Sequence, residues 1–112
     1  MKVRTRAERS AAAGRTLLGK LQELQQRHAL IGDVRGLGLM AGVELVSDRG
    51  RKTPAADEAA AIQARLLEEG FLAGVGGYYG NVLRLQPPLV IEDVDLDRAV
   101  AALDRALVKA AR

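Results

Sequence analysis

IGDVRGLGLMAGVELV, residues 31–46, is the stretch that decides the fold. Upstream of it, from Arg6 to His28, the pattern is helical. Ala7, Ala11, Leu17, Leu21 and Leu24 recur at three- and four-residue steps, Leu18 widens the stripe, and Gly14 interrupts it. Over residues 31–46 that spacing disappears, and Val, Leu and Gly take over. Such a run reads as two short strands, one near Ile31–Arg35 and a longer one near Leu37–Val46. The glycines within it mark a bulge or the close approach of another backbone.

Downstream, Ser47 to Lys52 is polar and reads as a solvent-exposed tip. Thr53-Pro54 reads as a helix start. Thr53 is placed to cap free N–H groups, and Pro54 at the first helical position loses nothing by lacking its own. Asp57 and Glu58 suit the positive end of the helix dipole. Ala55, Ala59, Ile62 and Leu66 form the apolar stripe, and Gly70 supplies a left-handed terminator. Phe71–Val75 reads as a strand, Gly76–Gly80 as a loop and Asn81–Gln86 as a strand that Pro87-Pro88 stops. Glu92, Asp93 and Asp95 open a last helix, with a stripe of Leu96, Ala99, Val100, Leu103, Ala106, Leu107 and Ala110. Lys109 and Arg112 favour its negative end.

The order helix, strand, strand, helix, strand, strand, helix predicts an α+β two-layer domain. Its sheet is small and mostly antiparallel, with helices on one face. The 112 residues suit a single domain, 1–112. Hydrophobic residues make up 48% of the chain against 3% aromatic, so the core is aliphatic.

Composition also narrows the function. A net charge of +3 with so few aromatics argues against a nucleic-acid partner. The chain has no cysteine, which removes disulfides, thiolate nucleophiles and cysteine-ligated metals. The longest apolar run, Leu37–Val46, is far short of the ~20 residues of a membrane helix. The single histidine, His28, reads as a helix C-terminal residue suited to the dipole rather than as a metal ligand. Gly36-x-Gly38-x-x-x-Gly42 and Gly74-x-Gly76-x-x-x-Gly80 both miss the dinucleotide fingerprint by one residue, and neither sits between a strand and a helix. Lys2, Lys20, Lys52 and Lys109 all lack the apolar setting that would lower an amine pKa, so no residue is assigned a catalytic role.

Arg84 stands apart. In Leu83-Arg84-Leu85 it points away from the flanking leucines. From the residues alone two readings stay open: an arginine on a solvated sheet face, or an anion anchor whose planar fork grips a carboxylate through two parallel hydrogen bonds.

The segments IGDVRGLGLMAGVELV (31–46) and GGYYGNVLRLQPPLVI (76–91), with the KTPA helix between them, resemble the C-terminal portion of class III aminotransferases. The likeness runs from about residue 6 to 112 and is nearest the alanine–glyoxylate or 4-aminobutyrate branch. It implies the small C-terminal domain of a fold-type I, pyridoxal-phosphate-dependent transferase, closing over an active site carried mainly by a large domain. It makes Arg84 the substrate-carboxylate residue and puts Gly76 and Gly77 near the substrate entrance. Tyr78 and Tyr79 line the approach without an assigned contact. Arg35 also follows the family pattern and reads as a structural residue of the strand turn. The resemblance further implies an amino acid or keto acid substrate, a cytoplasmic homodimer, and a large catalytic domain on the same or a separate chain. No lysine here matches the Schiff-base lysine, so this chain alone is not expected to catalyse transamination. The rival expectation is a freestanding, non-catalytic interaction or small-carboxylate-binding domain.

Overall fold

The structure, a computed structural model, describes residues 6–37, 40–85 and 93–111. Within them the chain forms α1 (Arg6–Arg27), β1 (Ile31–Leu37), β2 (Met40–Asp48), β3 (Thr53–Pro54), α2 (Ala56–Glu68), β4 (Gly74–Gly76), β5 (Val82–Leu85) and α3 (Asp93–Ala110). This is the expected α+β arrangement. The sheet runs β1-β2-β5-β4, β3 pairs with β2, and each pairing is antiparallel.

The helices cover one face. Leu17, Leu21 and Leu24 of α1, Ala59, Ile62 and Leu66 of α2, and Leu96, Ala102, Leu103, Ala106 and Leu107 of α3 are buried. They join Ile31, Ala41, Val43, Leu45 and Leu83 of the sheet in one aliphatic cluster. Strand alternation explains the choice: Ala41, Val43 and Leu45 face the helices, so Gly42 and Glu44 face away. On α3, Ala102 carries burial that the expected stripe had left out, while Ala99 and Val100 are only partly buried. The register of β1 on β2 shifts between Ile31 and Asp33. The intervening Gly32 sits at the bulge that the glycine pattern predicted, and a side chain there would stand 2.9 Å from Val46 Cγ2, so what crowds it is a side chain rather than another backbone.

The start of α2 differs from expectation. Thr53 and Pro54 are extended and pair with Asp48 and Val46, and the Ala55 N–H donates to the Leu45 carbonyl at 3.0 Å. The helix begins two residues later, at Ala56, with Ala55 as N-cap and no side-chain cap. Pairing with a strand already in place outweighs a local cap here. The other end behaves as the sequence predicted. Gly70 has φ +89°, the Phe71 N–H donates to Leu66 O at 2.8 Å, and the Gly70 N–H donates to Leu67 O at 3.0 Å. That is the paired bonding of a Schellman terminator.

The next strand is shorter and later than Phe71–Val75. The Ala73 carbonyl accepts from Gln63 Nε2 at 2.7 Å, which tethers the segment to α2 before the ladder begins at Gly74. Asn81 precedes its strand and is buried. Its side-chain Nδ2 donates to Leu45 O at 2.9 Å and its backbone carbonyl accepts from the Leu45 N–H at 2.8 Å. The side chain thus stands in for a ladder partner. Gln86, Pro87-Pro88, Glu92, Arg112, Lys2 and the side chains of Ala7 and Ala11 lie outside what is described.

Charged pairs tie the helices together. Lys20 Nζ lies 2.6 Å from Asp97 Oδ1, and Arg105 pairs with Glu69. His28 is at the C-terminal end of α1, as expected, and its Nε2 lies 2.5 Å from Asp104 Oδ1 of α3.

Candidate functional site

The face of the sheet opposite the helices carries the candidate residues. Cross-strand register lays out one row across it: Arg35 on β1, Gly42 on β2, Arg84 on β5 and Gly74 on β4. The next row is Asp33, Glu44, Val82 and Gly76. Directly opposed residues of antiparallel strands project to the same face. Arg84 therefore stands between two glycines, on a floor of bare backbone.

The two arginines differ electrostatically. Arg35 Nε lies 2.5 Å from Asp33 Oδ2. That hydrogen bond, reinforced by the Asp33 charge, raises the Arg35 pKa and leaves its charge already matched. Arg84 is exposed and has no hydrogen bond or ion pair with any described residue. A guanidinium stays charged at every physiological pH. Among the described residues, Arg84 is therefore an unmatched cation on this face, two strands or about 10 Å from Arg35.

Gly76 and Gly77 occupy different places. A Cβ at Gly76 would meet the Arg84 guanidinium, with Cζ at 2.5 Å. Gly77 has φ +84° and opens a tight turn closed by the Gly80 N–H donating to Gly77 O at 3.2 Å. Glycine is needed there for the turn itself. Tyr78 and Tyr79 form the tip of that turn, edge to face with ring centroids 4.9 Å apart, and are 94% and 63% exposed. The pairing of glycines with Arg84 across three strands was not visible in the sequence, because register is a non-local property.

The described lysines do not converge on this face. Lys20 is on α1 and Lys109 on α3, among the helices on the far side of the sheet, and Lys52 lies in the turn after β2. These residues do not fit a pyridoxal phosphate held as an imine beside Arg84. Among the described residues no group of three or more His, Asp or Glu is placed to hold a metal ion, and no helix is long and apolar enough to cross a membrane.

The family model for aminotransferase class-III matches residues 2–107. The chain belongs to that family. Over 102 residues it is 50% identical to the mitochondrial alanine–glyoxylate aminotransferase 2 homolog 2 of Arabidopsis thaliana, covering 91% of this chain and 21% of that protein. Over 102 residues it is 47% identical to the leucine/methionine racemase of Thermococcus litoralis, covering 91% of this chain and 22% of that protein. The solved structure of a Bacillus anthracis aminotransferase superimposes with a TM-score of 0.83 at 38% identity, over 91% of this chain and 24% of the other. The chain thus spans between a fifth and a quarter of the length of these relatives.

Proposed function

We propose that this chain is the C-terminal small domain of a pyridoxal-phosphate-dependent class III aminotransferase, and that Arg84 binds the substrate carboxylate. The observation that supports this is the contrast between the two arginines of the open sheet face. Arg35 is matched by Asp33, whereas Arg84 has no acidic partner among the described residues and stands on a glycine floor. A planar fork offering parallel N–H donors suits an amino or keto acid, whose carboxylate presents two coplanar oxygens.

On this reading the cofactor and the lysine that holds it belong to the large domain. The small domain's own task is to grip the substrate carboxylate and fix the orientation of the α-carbon. The two relatives named for alanine–glyoxylate transamination and for leucine/methionine racemisation both bear the names of amino acids, which fits a shared demand for carboxylate recognition. Tyr78 and Tyr79 border the approach, Gly77 shapes the turn that carries them, and the intact enzyme acts as a homodimer.

Arg84→Lys in the intact enzyme tests the assignment, since it keeps the charge and removes the fork. The expected result is a KM for carboxylate substrates raised roughly ten-fold or more, from loss of one charge-assisted hydrogen bond, with the melting temperature unchanged. Unchanged kinetics would make Arg84 a surface residue.

A further inference from the structure

The contact between Gly76 and Arg84 has a definite geometry. A Cβ built on Gly76 would lie 2.5 Å from Arg84 Cζ, 2.5 Å from Nη2 and 2.9 Å from Nε. Neither nitrogen is closer than the carbon that joins them. An atom approaching in the guanidinium plane between two nitrogens would meet the nitrogens first. The Gly76 Cα therefore faces the flat side of the group.

All five guanidinium N–H bonds lie in the plane. Stacking on the flat side uses none of them. Arg84 reaches Gly76 diagonally, because its directly opposed residue on β4 is Gly74. A Cβ at Gly74 would make only an ordinary contact, 3.6 Å from Arg84 Cβ. Of these two β4 glycines, Gly76 is the one with the close approach.

We infer that Gly76 is a positioning residue: its bare Cα is the platform on which the Arg84 guanidinium lies flat, leaving the N–H fork open to a planar carboxylate. Any side chain at this position lifts the guanidinium off β4 and tilts the fork. Gly76 thereby biases the site toward substrates that carry a carboxylate and away from amines that lack one. This rests on the carboxylate role of Arg84.

Gly76→Ala is a clean perturbation. Gly76 is not among the positive-φ glycines, so alanine adopts its backbone without strain. The clashing atoms are the tip of an exposed, flexible side chain that swings aside, so the fold survives. The experiment compares Gly76→Ala, Arg84→Lys and the double variant in the intact enzyme. L-alanine is one probe, and isopropylamine, which carries a methyl group in place of the carboxylate, is the other.

The expected result for Gly76→Ala is a KM for L-alanine raised roughly ten- to hundred-fold, as for a compromised charge-assisted hydrogen-bond pair. The KM for isopropylamine and the melting temperature stay put. In the Arg84→Lys background the same change has no further effect, because lysine has no flat group to support. If Gly76→Ala leaves the L-alanine KM unchanged while Arg84→Lys raises it, the platform role is overturned and the carboxylate assignment stands. If neither variant moves it, the carboxylate assignment itself fails. Additive effects in the double variant, or equal losses for both probes, would mean a general distortion and also overturn the platform role.

Discussion

Arg84, Arg35 and Arg49 show how much one residue's meaning depends on what the chain folds against it. Alternation within Leu83-Arg84-Leu85 was enough to turn Arg84 away from the core. That Arg35 already has a carboxylate partner was in reach too, since Asp33 and Arg35 lie two apart on one strand face. Arg49 was not in reach. It sits in the polar stretch Ser47–Lys52, which reads as a solvent tip, and yet its guanidinium is a clamp. Nη2 donates to the carbonyls of Gln25 at 2.5 Å and His28 at 2.9 Å, and Nε donates to Ile31 O at 3.2 Å. These acceptors belong to the end of α1 and the start of β1, where carbonyls lack helical partners. Only the return of β2 alongside β1 brings Arg49 to them. Arg49→Ala should therefore cost the 112-residue chain about 2 kcal/mol, given charge-assisted bonds to backbone. A urea denaturation midpoint reports the loss, and a change below about 0.5 kcal/mol, the usual range at an ordinary surface site, would show the clamp to be solvated.

At the scale of elements, the helices were legible from apolar spacing and the strands less so. Gly70 ends α2 because its requirement is local, a positive φ satisfied by the residue itself. Thr53-Pro54 was misread because its fate is set by β2, through pairing with Val46 and Asp48. The contact of α1 with α3 is likewise invisible in the spacing of either helix. Here His28 and Arg27 meet Asp104, with Arg27 Nη1 at 3.4 Å from Oδ2. The hydrogen bond from His28, with a smaller contribution from Arg27, outweighs partial burial and holds the Asp104 carboxyl below its ordinary pKa. A carboxylate with a depressed folded-state pKa contributes stability that is fully present above its unfolded value, about 3.9. That contribution is lost as pH falls through the folded value. Asp104→Asn should therefore be less stable than wild type above about pH 4 and converge with it at lower pH. Chemical denaturation of both proteins from pH 3 to 7 checks the sign, and a gap that persists unchanged at the acid end would remove Asp104 as its source.

Over the whole molecule, the two faces of the sheet divide the labour. One carries the helices and the aliphatic core; the other presents Arg84 and the glycine floor, and the exposed Tyr78 and Tyr79 sit in the turn beyond β4. Leu72, just before β4, is 84% exposed as well. Large exposed apolar and aromatic side chains flanking an edge strand suit a surface that another body covers. On the proposed function that body is the large domain of the intact enzyme. The chain has two tyrosines, and both lie at this edge, so their reactivity is a direct readout. In the 112-residue chain alone, tetranitromethane should nitrate both. In the intact enzyme at least one should be protected, and unfolding should restore the reaction. Equal nitration in the two settings would place the remainder of the enzyme away from this edge. On the proposed role of Arg84, a carboxylate would then have to reach it across open solvent, where its charge is screened within about 8 Å at physiological salt.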